Sequence, residues 1–204
     1  MVRIISLALM FIVTFVTPQA QASDNGEELY DACRSCHMDD GMGSEKLAAP
    51  AIAGLPEWYI SAQLEKFVKG HRGYHWNDLN GLRMRPMASS MNHEGDVAAV
   101  SAYISALPNS GVPATLSGDA ELGKATYITC VACHGADAMG NQTLNAPPLK
   151  GQADWYMKRQ LQNFKVGMRG TAPGDISGMT MRPMSMTLAD DAAIQNVIAY
   201  IKSL

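Results

Sequence analysis

Two cysteines and a histidine stand together at Cys33-Arg-Ser-Cys36-His37, and again at Cys130-Val-Ala-Cys133-His134. Two thiols at this spacing can add to the two vinyl groups of one porphyrin. A histidine directly after the second thiol then offers its imidazole to the iron from one side. The same residue types also serve redox dithiols and zinc. A zinc site, however, would have to draw four ligands from pairs 97 residues apart. No strand pattern of a thioredoxin-like fold surrounds either copy. Two copies in matching context favour two covalently tethered haems. Cys33, Cys36, Cys130 and Cys133 would be the tethers, and His37 and His134 the iron ligands.

The interval of 97 organises the whole chain. Shifted by that amount, the halves align without a gap from Gly26/Gly123 to Leu107/Leu204. Tyr30 meets Tyr127, Pro50 meets Pro147, and Trp58-Tyr59 meets Trp155-Tyr156. Gln63, Phe67, Arg72 and Asp78 meet Gln160, Phe164, Arg169 and Asp175, and the sequence Met-Arg-Pro-Met recurs whole. Such a repeat means two copies of one small domain. The expected bounds are 23–107 and 119–204, joined by a Pro-, Gly- and Ser-containing linker at 108–118. A half of this size is thin for an apolar core alone, and a porphyrin would supply the missing bulk.

The elements that must position the motifs are helical. Residues 25–37 read as a helix that runs into the first motif, with Asn25 or Asp24 as N-cap and Glu27 and Glu28 in its first turn. Residues 56–68 form a second, opened by Pro56 and stopped by Gly70. The last helices lie at 95–107 and 190–204. In the latter, Ile194, Val197, Ile198 and Ile201 fall at i, i+3, i+4 and i+7. Residues 38–55 and 71–92 read as loops. The expected fold class is all-α.

These residues resemble class I cytochromes c, and the two-domain form resembles the dihaem cytochrome c4 type. The resemblance covers nearly all of 24–204, twice. It implies that the first and last helices of each half cross at a glycine beside an aromatic, for which Gly26 with Tyr103 and Gly123 with Tyr200 are suitable. It also implies a proline loop whose carbonyl bonds the proximal histidine. Pro50 takes that place in the first half, and Pro147 and Pro148 compete for it in the second. A methionine loop supplies the sixth iron ligand in this family. Family spacing, with the ligand about seven residues before the residue that opens the last helix, selects Met84 and Met181; Met87 and Met184 are the alternatives. Arg72 and Arg169 recur in loops where a guanidinium fork could meet a haem propionate. His71, His75 and His93 have no counterparts in the second half and read as surface residues.

Charge and composition exclude other classes. The net charge is −3, so no basic nucleic-acid surface is expected. Residues 1–22, with Arg3 before an apolar run and Ala20-Gln21-Ala22 at its end, read as a secretory signal peptide cleaved after Ala22. The expected location is the periplasm, with room for loose association with a membrane complex. The resemblance implies a carrier of single electrons from a quinol-oxidising complex to a terminal oxidase or reductase. The alternative is the cytochrome subunit of a periplasmic sulfide, thiosulfate or alcohol dehydrogenase, or such an enzyme itself. Intact-mass spectrometry of the exported protein should give a chain starting at Ser23 plus two haems. A bare polypeptide mass would refute the tethering.

Overall fold

The computed structural model describes residues 25–204; the expected signal peptide lies outside them. Among the described residues there are eight α-helices and no β-strand longer than an isolated bridge, so the fold is all-α as expected. The first half carries α1 (Gly26–His37), α2 (Glu57–Val68), α3 (Leu79–Ser89) and α4 (Asp96–Ala106). The second repeats the plan with α5 (Ala120–His134), α6 (Asp154–Lys165), α7 (Ile176–Met186) and α8 (Asp191–Ser203).

In each half the first helix crosses the last, and only glycine permits the approach. A Cβ on Gly26 would lie 2.5 Å from the Ala99 carbonyl oxygen, and one on Gly123 would lie 1.9 Å from that of Asn196. Tyr30 packs in a tilted pair with Tyr103, ring centres 5.4 Å apart, and Tyr127 does the same with Tyr200 at 5.3 Å. Each inner tyrosine also donates its hydroxyl hydrogen to the backbone just beyond the haem motif, at Met38 and Gly135. The apolar stripe of α8 is buried as its periodicity requires: Ile194, Val197, Ile198 and Ile201 pack with Tyr127, Met157 and Leu188. Each such side chain contributes about 1.5–3 kcal/mol. The first half has the smaller cluster, built on Tyr30, Leu55, Ile60, Val100 and Ile104.

The segment 71–92 departs from expectation. It is not all loop: α3 occupies 79–89, and α7 repeats it. Both helices open on an aspartate cap. Asp78 accepts from the Gly81 backbone N–H at 3.0 Å, and Asp175 from that of Gly178 at 3.2 Å. Pro86 and Pro183 sit late in their helices, where the missing N–H removes one bond without ending the helix.

The connection 108–118 has no helix, yet it is tied down at both ends. Asn109 donates to the Ala53 carbonyl at 2.8 Å. The Thr115 and Leu116 backbone N–H groups and the Thr115 hydroxyl all donate to Asp154, the first residue of α6, which is 1% exposed. Burial works to raise the Asp154 pKa, but the backbone donors of Leu116, Thr115 and Trp155 outweigh it. The carboxyl is held below its ordinary 3.8. A depressed folded pKa gives stability that is complete above the ordinary value and lost as pH falls through the folded one. Asp154→Asn should therefore destabilise the protein by about 1–3 kcal/mol near neutral pH. It should also flatten the acid limb of stability below about pH 4. Denaturant titrations at neutral and acid pH read both effects, and an unchanged acid limb would contradict the role.

Candidate functional site

Each motif histidine ends its helix and turns inward. His37 is 5% exposed and His134 is 7% exposed. Nδ1 of His37 lies 2.9 Å from the Pro50 carbonyl oxygen, and Nδ1 of His134 lies 2.9 Å from that of Pro147. Pro147, not Pro148, therefore takes the role. A carbonyl only accepts, so the proton belongs on Nδ1 and Nε2 keeps its lone pair. Burial lowers the pKa of both rings below the ordinary 6.5, with the proline bond opposing it. The product is a neutral imidazole in one tautomer and one orientation, which is the form a metal ion binds.

The thiols fit the tethering role. All four cysteines are free and half-buried. Burial, reinforced by the neighbouring Cys36, raises the Cys33 pKa. Burial likewise raises Cys130, with the Thr129 hydroxyl pulling the other way and Cys133 adding to the rise. Cys33, Cys36 and His37 share the wall of a mostly apolar cleft with Ile52, Leu55, Ile60, Leu64 and Phe67.

α3 contributes methionines to the same cleft. Met84 and Met87 lie at i and i+3 of this helix, and with Met91 beyond it all three line the first cleft. Met87 and Met184 are 37% and 38% exposed, whereas Met84 and Met181 are half-buried. The less exposed pair is the better placed to meet an iron in a closed cleft.

Polar groups gather at the mouth. Arg72 and Arg169 are buried, 9% and 8% exposed, rather than solvated loop charges. Each guanidinium lies over a phenylalanine, Phe67 at 4.3 Å and Phe164 at 4.4 Å, and donates to a glutamine, Gln63 at 3.1 Å and Gln160 at 2.7 Å. Arg72 also donates to the Tyr156 hydroxyl of the other half at 3.1 Å. Burial works to raise the Tyr156 pKa, but Arg72 and Arg169 together pull it below the ordinary value. Nε of Arg72, Nε of Arg169 and Nη1 of Arg159 are buried with no partner. Arg72 and Arg159 line the apolar cleft, where orphaned guanidinium hydrogens suit the carboxylates of a haem. The donor set, the free thiols and these orphans together fit the group that the motifs call for.

The halves complete one another. Tyr156, Arg159, Gln160 and the preceding Gln152, all from the second half, line the first cleft. Gln152 donates across the boundary to the Ala51 carbonyl at 2.9 Å. Sequence reasoning did not assign these residues. Tyr59 and Gln63 recur as Tyr156 and Gln160 and sit four apart on one helix face, which was the available signal. Trp58 is half-buried, and its neighbour Tyr59 lines the cleft. His71, read as a surface residue, is half-buried with Nε2 against Gly174 of the second half. Among the described residues no cluster of His, Cys, Asp and Glu forms a separate metal site.

The cytochrome c family profile matches residues 23–108 and again 120–204. This chain belongs to the cytochrome c family. Its domains bind covalent haem c, and two attachment motifs make it a dihaem protein of cytochrome c4 type. It is 31% identical to a thiosulfate dehydrogenase electron acceptor of Stutzerimonas stutzeri, over 91% of this chain and 88% of the relative. Its fold matches reduced cytochrome c4 of Pseudomonas stutzeri with a TM-score of 0.70 at 25% identity, covering 89% of this chain and 98% of the other. It also matches a thiosulfate dehydrogenase of Marichromatium purpuratum, with a TM-score of 0.69 at 32% identity. That match covers 87% of this chain but only 39% of the longer one.

Met181→Ala and Met184→Ala should separate the ligand candidates. The first should remove one haem's sulfur-to-iron charge-transfer band, half of the total. The second should leave the band intact. The opposite pattern would move the sixth ligand to Met184, and by the repeat to Met87.

Proposed function

We propose that this protein carries single electrons through the periplasm, from a quinol-oxidising complex to a terminal oxidase or reductase. Haem c, when bound, supplies a reversible one-electron iron couple. The chain's part is to keep the surroundings of that couple unchanged in both states. Cys33, Cys36, Cys130 and Cys133 would tether the two groups. His37 and His134 would each offer a nitrogen to the iron, and Met84 and Met181 a sulfur. A methionine–histidine ligand pair would raise the potential of that couple. The observation that carries this reading is the motif histidine, buried and fixed by a proline carbonyl in both halves, with Met84 and Met87 of α3 lining the same cleft as His37 in the first.

A second reading concerns the donor. The likeness to proteins named thiosulfate dehydrogenase electron acceptors supports a thiosulfate-oxidising enzyme as the source of electrons. Likeness to subunits of cbb3-type cytochrome c oxidases supports an oxidase as the sink. Both readings keep the chain a carrier rather than the enzyme.

Haem absorption during reduction of the oxidised protein distinguishes them. Thiosulfate alone should leave it oxidised. Reduction by a quinol with a quinol-oxidising complex supports the first reading, and reduction by thiosulfate with its dehydrogenase supports the second. Turnover of thiosulfate by this protein alone would make it an enzyme and overturn both.

A further inference from the structure

The two halves are not equivalent at one ion pair. Lys66 on α2 of the first half reaches across to the second. Its ammonium donates to Asp175 Oδ1 at 2.7 Å and to the Ser177 hydroxyl. Asp175 is the N-cap of α7, the helix that bears Met181 and Met184. Its side chain is 0% exposed, and its Oδ2 has no partner. Among the described residues, Lys66 is the one lysine or arginine that donates to this buried capping carboxylate.

The repeat provides its own control. Shifted by 97, Lys66 becomes Asn163, and Asp175 becomes Asp78. The backbone is alike at both places: the Arg72 N–H donates to the Lys66 carbonyl at 3.0 Å, and that of Arg169 to the Asn163 carbonyl at 3.1 Å. Asp78 caps α3 through Gly81 as Asp175 caps α7 through Gly178. Yet among the described residues no lysine or arginine forms an ion pair with Asp78. The crossing exists in one direction only.

We propose that Lys66 is a positioning residue for the second half's iron ligation, acting from the first half through Asp175. The inference rests on the ligand reading above, and it holds whether Met181 or Met184 is the sulfur donor, because α7 carries both. Removing the ammonium strands a buried carboxylate, which is strongly unfavourable. The cap must then open toward water, and α7 moves with it. Met181 lies six positions beyond Asp175, about 9 Å of helix at about 1.5 Å per residue. A neutral thioether bond to iron is the weakest link along that path. The second centre's ligation thus depends on closure of the boundary between halves, and the first centre's depends on its own cap.

The test is the rate at which cyanide displaces each methionine from the oxidised dihaem protein, followed through the shifted methyl resonance of each ligand. The two resonances are assigned with the methionine variants. Lys66→Met should raise the second haem's rate at least about tenfold, equal to about 1.4 kcal/mol, and leave the first unchanged. Lys66→Arg should restore most of the difference. Asn163→Lys, in an otherwise native chain, should slow displacement at the first haem only, and this arm decides the matter if Lys66→Met does not fold. Equal changes at both haems, or no change at either, would overturn the role of Lys66. Absence of a methionine resonance from the second haem of the native protein would instead overturn the ligand reading itself.

Discussion

A single hydrogen bond, from a buried imidazole to a proline carbonyl, sets the terms for each half. It fixes which nitrogen of His37 and His134 faces the cleft, and it needs the chain to return to within 2.9 Å after only 13 residues. That return is possible because Gly43 and Gly140 adopt φ of +75° and +80°, with a backbone N–H donated back to His37 and His134. A Cβ at Gly43 would lie 2.4 Å from the Ala49 carbonyl oxygen, and one at Gly140 2.6 Å from that of Ala146. The tyrosine of the first helix braces the start of the same loop. The helix crossing, the tight loop and the histidine's tautomer are thus one connected constraint, met twice.

Buried polar pairs cross the boundary between halves. Arg72 meets Tyr156, Gln152 meets the Ala51 carbonyl, and Lys66 meets Asp175. Buried polar pairs contribute less net stability than hydrophobic packing, but a misplaced partner leaves a buried group unsatisfied. Such a boundary accepts one arrangement and rejects near alternatives. For a carrier with two redox centres this matters, because residues of the second half complete the wall of the first half's cleft. Duplication made the halves alike, and the boundary made them unequal. Lys66 with Asn163 as its counterpart, and Arg159 with Ala62, are departures from the repeat, and both fall where the halves touch.

The sequence by itself determined the two Cys-x-x-Cys-His motifs, the duplication, the all-α class and the buried stripe of α8. These depend on local spacing: two thiols and an imidazole in five residues, or apolar residues every third and fourth position. It also pointed to the proline loops, through resemblance, and left Pro147 and Pro148 undecided. Only the tertiary structure chose Pro147, because a carbonyl's direction depends on the whole loop. It also formed helices at 79–89 and 176–186, each opened by an aspartate that accepts from the backbone N–H three residues on and each keeping its proline in the later turns, which a linear reading of glycine and proline does not reveal. The buried state of Arg72 and Arg169, and the reach of Lys66 to a residue 109 positions away, were invisible for a plainer reason. No periodicity records a contact between separate domains; such contacts exist only once both have folded and met.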